Sequence, residues 1–214
     1  MSGNIADRRV VILSACSVPA GLARLLRPDD FVIACDAGYR NAEALGLTPD
    51  LILGDFDSAP QPEAEDLVVL PHVKDDTDTH YAAVWAAEHG AKEVLMLGAL
   101  GGKRLEHTLA NLSTGLFLSR KGIDVTIADE YSHIRYLLPE KPVTASRENW
   151  EYFSVIPLGD RLEGVSISGA FYPLQDAVIT ADYVSLAVSN EFVEESVTVR
   201  CQKGAGAVIL TKES

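Results

Sequence analysis

The stretch Leu51-Ile52-Leu53-Gly54-Asp55-Phe56-Asp57-Ser58 constrains this chain most. A short apolar run closed by Gly fits a strand buried on both faces, and this one ends in two carboxylates with one residue between them. In open α/β sheets ligands sit at the carboxyl ends of the strands, so Asp55 and Asp57 belong on such an edge. Two carboxylates ~4 Å apart repel by about 4 kcal/mol at an effective dielectric of ~20, which calls for a cation between them. Mg²⁺ is the natural candidate, because it takes hard oxygen ligands and combines one or two carboxylates with substrate phosphates. Taken alone, Asp-x-Asp fits a plain turn equally well, since Asp side chains bond nearby backbone.

The first 130 residues alternate short apolar runs with helical patterns. Val10 to Leu13, Phe31 to Cys35, Leu67 to Leu70, Glu93 to Leu97 and Asp124 to Ala128 read as further strands, with helices over Leu22 to Leu26 and Tyr39 to Leu45. This alternation indicates a mostly parallel sheet covered by helices. Four of the strands run into acidic or Gly-rich turns. Asp36-Ala37-Gly38 follows the second and Asp55-Phe56-Asp57 the third; Lys74-Asp75-Asp76-Thr77-Asp78 follows the fourth and Gly98 to Arg104 the fifth. Parallel strands end together, so these turns share one edge. Thr77 or Asp76 is positioned to cap the Ala-rich helix that runs to about His89. Capping needs one residue only, and Asp75 and Asp78, three apart across a helix start, can face the same point while Lys74 offsets their charge.

Gly98-Ala99-Leu100-Gly101-Gly102-Lys103-Arg104 lies between a strand and a helix, where backbone N–H groups approach a phosphate and Lys103 and Arg104 add charge. Its spacing matches neither the dinucleotide fingerprint nor the Walker A motif. In the helix that follows, Leu105, Leu109, Leu112 and Leu116 form an apolar stripe expected to face the sheet. Arg104, His107 and Asn111 fall on another face and point together from the helix start. A surface or capping role is the alternative for His107.

After Glu130 the helical periodicity stops. Runs at Ile134 to Leu138, Tyr152 to Ile156, Val165 to Ile167, Tyr183 to Val188, Val197 to Cys201 and Ala207 to Leu210 read as short strands between turns, a small antiparallel sandwich or barrel. The expected organisation is an α/β domain over residues 1–130 and an all-β domain over 131–214.

With 18 basic and 31 acidic residues the net charge is −13, which disfavours a nucleic-acid or anionic-membrane surface. Cys16, Cys35 and Cys201 are widely spaced and odd in number, as in a reduced cytoplasmic protein. Met1 to Arg9 has no apolar signal core, and no run reaches the ~18 residues of a membrane span.

Together, Asp36-Ala37-Gly38, Pro49 to Ser58, Lys74 to Asp78, Gly98 to Asn111, Tyr172-Pro173-Leu174 and Ser189-Asn190 resemble the thiamine pyrophosphokinase family, in the family's order and across both halves. The resemblance implies an N-terminal α/β nucleotide-binding catalytic domain with a mostly parallel sheet, a C-terminal β-sandwich that binds thiamine, and a homodimer. It also implies Mg²⁺-dependent transfer of the pyrophosphoryl group of ATP to the thiamine hydroxyl, releasing AMP. By matching position, Asp55, Asp57, Asp75 and Asp78 are the implied metal ligands. Asp36, Ser58, Lys74, Thr77, Lys103 and Arg104 would line the nucleotide, with Arg104 and His107 joining Asp55, Asp57 and Asp78 at the reacting centre. Thiamine would meet Asp78, Tyr172, Ser189 and Asn190. Ala37 stands where the family usually has Gly, and Glu106 stands where it usually has Asp. The residues alone leave three alternatives: an Asp-nucleophile phosphatase, an Asp-x-Asp glycosyltransferase, and a silent thiamine or nucleotide sensor.

Overall fold

The computed structural model describes residues 5, 7–56, 67–70, 76–148 and 150–213. The chain divides into two compact units, residues 1–130 and 131–214.

The first unit is built on β1 (Val10–Leu13), β2 (Phe31–Cys35), β3 (Leu51–Gly54), β4 (Leu67–Val69), β5 (Glu93–Leu97) and β6 (Asp124–Ala128). They pair in parallel in the order β6-β5-β1-β2-β3-β4. Every residue of β1, β2 and β3 is buried, as the unbroken apolar runs require. From β1 the chain moves to β2 on one side, while β5 lies on the other. The exits of β1 and β5 therefore flank a topological switch point, where an open α/β sheet leaves a crevice.

Among the described residues, three α-helices accompany this sheet: α1 (Gly38–Ala44), α2 (Asp78–Glu88) and α3 (Leu105–Arg120). A Cβ at Gly38 would stand 2.0 Å from the Leu13 carbonyl oxygen, so only glycine lets α1 start against the end of β1. Thr77 caps α2, its hydroxyl accepting from the His80 N–H at 3.2 Å. Ala82, Ala83 and Ala86 form the buried face of α2. At the other end of the sheet, Arg9 Nη2 lies 2.7 Å from Asp30 Oδ2, with both side chains nearly excluded from solvent.

Two expectations change here. The segment expected as a helix over Leu22 to Leu26 is a 3-10 turn, Ala20–Leu25. Pro28 biases Arg27 toward extended backbone, which leaves no length for a regular helix. The leucine stripe of α3 does not face the core. Leu105 is 69% exposed and Leu109 56%, while Asn111, Thr114, Gly115, Leu118 and Ser119 are buried. Two of these polar residues occupy that face with partners: Asn111 donates to the Ala99 carbonyl at 2.7 Å, and the Thr114 hydroxyl lies 3.0 Å from His80 Nδ1.

The second unit contains β7 (Ser132–Leu137), β8 (Val143–Ser146), β9 (Tyr152–Pro157), β10 (Arg161–Ser168), β11 (Leu174–Thr180), β12 (Asn190–Glu191), β13 (Ser196–Arg200) and β14 (Gly206–Thr211). All pair antiparallel, in the orders β12-β9-β14-β7 and β11-β10-β13-β8. Both sheets feed one core that includes Leu137, Phe153, Val155, Leu162, Val197 and Val208. The result is an all-β sandwich. Strands β8, β11 and β12 carry too few consecutive apolar residues to stand out in the sequence. The run Tyr183 to Val188, expected as a strand, contains instead a 3-10 turn at Ser185–Ala187. Among the described residues no helix is long and apolar enough to cross a membrane.

Candidate active site

The carboxyl ends of the first unit's strands enclose a cavity of about 640 Å³. Its acidic side is Asp36 after β2, Asp55 after β3, and Asp76 and Asp78 at the start of α2. Its basic side is Lys103 and Arg104, with His107 and Asn111 one and two turns into α3. Ser14, Ala15 and Cys16, which leave β1, line it as well.

Backbone geometry draws the acids together. The Asp36 N–H donates to the Leu53 carbonyl at 2.8 Å, and a Cβ at Gly54 would lie 3.0 Å from the Asp36 Cα. Gly54 thus lets the turn after β2 close against β3, beside Asp55. Asp36 and Phe56 have φ of 47° and 52°. This left-handed conformation costs a non-glycine residue about 1–2 kcal/mol, and such strain concentrates at functional sites. The thiol of Cys35 is buried next to these acids. Burial pushes its pKa well above the ordinary range, and the charges of Asp78 and Asp36 push it further, so it is no thiolate nucleophile.

The basic side is held by hydrogen bonds from α3. Asn111 donates to the Ala99 carbonyl, and Thr108 Oγ1 accepts from the Gly101 N–H at 3.1 Å. Arg104, at the start of α3, makes no side-chain cap. Its Nε donates to Glu106 Oε1 at 2.7 Å, and this bond, reinforced by the helix backbone, lowers the Glu106 pKa. Glu106 is outside the cavity lining, turned toward its arginine.

Of the residues singled out in the sequence, Asp36, Asp55, Thr77, Asp78, Lys103, Arg104 and His107 line this one cavity. Thr77 also spends its hydroxyl on the α2 cap. Asp57, Ser58, Lys74 and Asp75 lie outside the described residues. Tyr172, Ser189 and Asn190 belong to the second unit. There Asn190, almost fully buried, donates to the Tyr172 carbonyl at 2.8 Å and accepts from the Tyr172 N–H at 3.0 Å. Its amide therefore shapes the segment that presents Phe171 and Tyr172, whose exposed rings meet edge to face at 4.9 Å.

Sequence reasoning missed the wall formed by Ser14, Ala15 and Cys16, and it missed Thr79, whose hydroxyl lies 2.9 Å from that of Ser14. The signal was available: β1 is parallel to the other strands, so its exit had to reach the same edge.

The donor chemistry fits Mg²⁺, with four carboxylates lining one cavity. Among the described residues no three His, Cys, Asp or Glu side chains form a ready metal cage. Mg²⁺ needs none, because one or two carboxylates, substrate phosphates and water complete its octahedron.

Comparison with known proteins gives consistent matches in both units. Residues 22–127 match the family model of the thiamin pyrophosphokinase catalytic domain, and residues 142–205 match that of the thiamin pyrophosphokinase vitamin B1 binding domain. The chain is 30% identical to thiamine pyrophosphokinase of Bacillus subtilis over 179 residues, covering 80% of this chain and 83% of the relative. A crystal structure of thiamine pyrophosphokinase from Bacillus subtilis superposes with a TM-score of 0.87 at 25% identity, covering 97% of this chain and all of the other. That of thiamin pyrophosphokinase from Geobacillus thermodenitrificans gives 0.84 at 28% identity, covering 96% and 98%. The enzyme from Candida albicans, at 15% identity and a TM-score of 0.78 over 98% of this chain and 90% of that one, shares the fold. A cavity lined by carboxylates and cations, an all-β second unit and these matches lead to one conclusion: the chain belongs to the thiamin pyrophosphokinase family.

Proposed function

We propose that this chain transfers the pyrophosphoryl group of ATP to the hydroxyl of thiamine, giving thiamine diphosphate and AMP. The observation that carries the reading is the division of one cavity into a carboxylate side, Asp36, Asp55, Asp76 and Asp78, and a cationic side, Lys103 and Arg104. Phosphoryl-type transfer consists mainly of positioning and charge neutralisation, and these two sides supply both.

In this proposal the thiamine hydroxyl oxygen bonds to the β-phosphorus of ATP as the bond from that phosphorus to the oxygen bridging to the α-phosphate breaks. The hydroxyl proton is lost, and AMP leaves. Asp78 orients the hydroxyl and takes up the proton. Lys103 and Arg104 hold the phosphate oxygens, and His107 steadies charge on the departing AMP. Asp55, with Asp57 and Asp75 by matching position, and Asp78 would hold Mg²⁺. When bound, that ion neutralises phosphate charge. Asp36 and Thr77 border the nucleotide, as Ser58 and Lys74 do by matching position.

Thiamine is assigned to the second unit, at Tyr172, Ser189 and Asn190. Its cationic thiazolium and flat pyrimidine suit the exposed rings of Phe171 and Tyr172. The proposal extends to a homodimer, which would cover apolar residues left exposed in each unit, among them Leu105, Leu109, Tyr183 and Val193. It extends also to a cytoplasmic location, supported by three free cysteines.

Tracing the phosphate tests the reaction. With ATP labelled at the β-phosphate, the label should pass to thiamine diphosphate and leave AMP unlabelled. Label left in ADP, with unlabelled inorganic phosphate released regardless of thiamine, would favour the phosphatase alternative.

A further inference from the structure

The side chain of Asn41, on α1, is buried and uses its full polar complement on the segment that leaves β1. Its Nδ2 donates to the carbonyl oxygens of Ser14 at 2.7 Å and Cys16 at 2.8 Å, and its Oδ1 accepts from the Val18 N–H at 3.1 Å. The same segment is tied to the exit of β5, with the Ser14 N–H donating to the Leu97 carbonyl at 2.8 Å and the Cys16 N–H to the Gly98 carbonyl at 3.0 Å. Close packing adds a further constraint. A Cβ on Gly98 would lie 2.6 Å from both carbonyl oxygens that Asn41 holds. The two exits that flank the switch point are thus locked together over Asn41.

Within this lock one group is left over. The N–H groups on either side of Ala15, those of Ser14 and Cys16, are spent on β5 and its exit, and both neighbouring carbonyls are spent on Asn41. Among the described residues the Ala15 N–H has no protein acceptor, and Ala15 lines the cavity. A fixed N–H in a phosphate-binding cavity acts as an anion donor that needs no reorganisation when ligand arrives. We propose that Asn41 is a positioning residue for the nucleotide: by holding the Ser14 and Cys16 carbonyls it keeps the Ala15 N–H available to a phosphate oxygen. Asn is suited to this work because it offers two donors and one acceptor from a short stem, whereas Asp would set a carboxylate against two carbonyls. The inference rests on the nucleotide reading of the cavity given above.

The test is a calorimetric titration of the whole protein with a non-hydrolysable ATP analogue in Mg²⁺, run beside a thiamine titration. Asn41→Ala should raise the analogue Kd roughly tenfold and leave the thiamine Kd within about twofold. Ala15→Pro deletes the N–H at an exposed position without touching Asn41, and should reproduce the loss with an unchanged melting temperature. It decides the matter where Asn41→Ala folds poorly. An unchanged analogue Kd in Ala15→Pro would overturn the positioning role alone. A wild-type protein that binds no analogue would overturn the nucleotide reading with it.

Discussion

The guanidinium of Arg104 is hydrogen-bonded to the carboxylate of Glu106 at 2.7 Å, two residues further along the same helix start. Both side chains are largely exposed. Glu106, which the resemblance sets apart from the family's usual Asp, is therefore attached to one of the two cations that line the cavity. On the proposed reading it would compete with ATP for Arg104. Glu106→Gln should lower the KM for ATP several-fold at low salt, with a smaller change at high salt, where screening already weakens the pair. Steady-state kinetics at two ionic strengths checks this. A rise in KM would mean that Glu106 aims the arginine.

A second prediction concerns the buried hydroxyl pair that joins β1 to α2. Ser14 Oγ and Thr79 Oγ1 lie 2.9 Å apart, and both residues are buried. Thr79→Val keeps the shape but strands the Ser14 hydroxyl, at a cost of about 1–3 kcal/mol. Adding Ser14→Ala should recover part of that loss, because an apolar pair leaves no orphaned group. Urea denaturation of the single and double variants measures it, and a double variant less stable than Thr79→Val would contradict this account.

Part of the site was legible in the sequence and part of it was concealed. Asp36, Asp55, Asp78, Arg104 and His107 were legible because each follows a strand or opens a helix, and parallel strands bring all such positions to one edge. The apolar face of α3 was misread. Leu105, Leu109, Leu112 and Leu116 have the right spacing, but Asn111 and Thr114 took the interior once Ala99 and His80 offered hydrogen bonds. Periodicity counts side chains and does not see their partners. Ser14 to Cys16 were within reach, because β1 exits at the same edge; what stayed concealed was the way Asn41 and Gly98, far away in sequence, fix that segment.

A third prediction follows from a buried ion pair. Arg9 donates through Nε and Nη2 to both oxygens of Asp30, whose Oδ2 also accepts from the Arg27 N–H. Arg9→Met removes the partner of a buried carboxylate and should cost about 3–5 kcal/mol. Asp30→Asn in the same background should restore part of the stability. A loss near zero in Arg9→Met, measured by thermal or urea unfolding, would show that the pair is better solvated than its burial suggests.

A fourth prediction concerns alkaline stability. Burial raises the pKa of the Cys35 and Cys201 thiols above their ordinary 9.0, and that of the Tyr136 hydroxyl above its ordinary 10.0. Each group holds its proton in the folded state after the unfolded chain has lost it. The stabilisation is full below the unfolded values and is lost as pH rises beyond them toward the folded ones, at about 1.4 kcal/mol per pH unit for each group. Unfolding free energy should be flat between pH 7 and 8 as far as these groups are concerned, and should fall steeply above pH 9 to 10. Tyr136→Phe should flatten the upper part of the fall. An identical slope in that variant would remove Tyr136 from the explanation.

The most direct test of the central claim is the rate of AMP formation from ATP, thiamine and Mg²⁺ by Asp55→Asn compared with the unaltered chain. Asp55 lines the cavity at the tip of β3, and the substitution removes one charge while keeping nearly the same shape. The account predicts a loss of at least ~100-fold with a melting temperature equal to or above the original, since a repelling carboxylate is gone. AMP formation at the original rate would contradict it and move the chemistry away from this cavity.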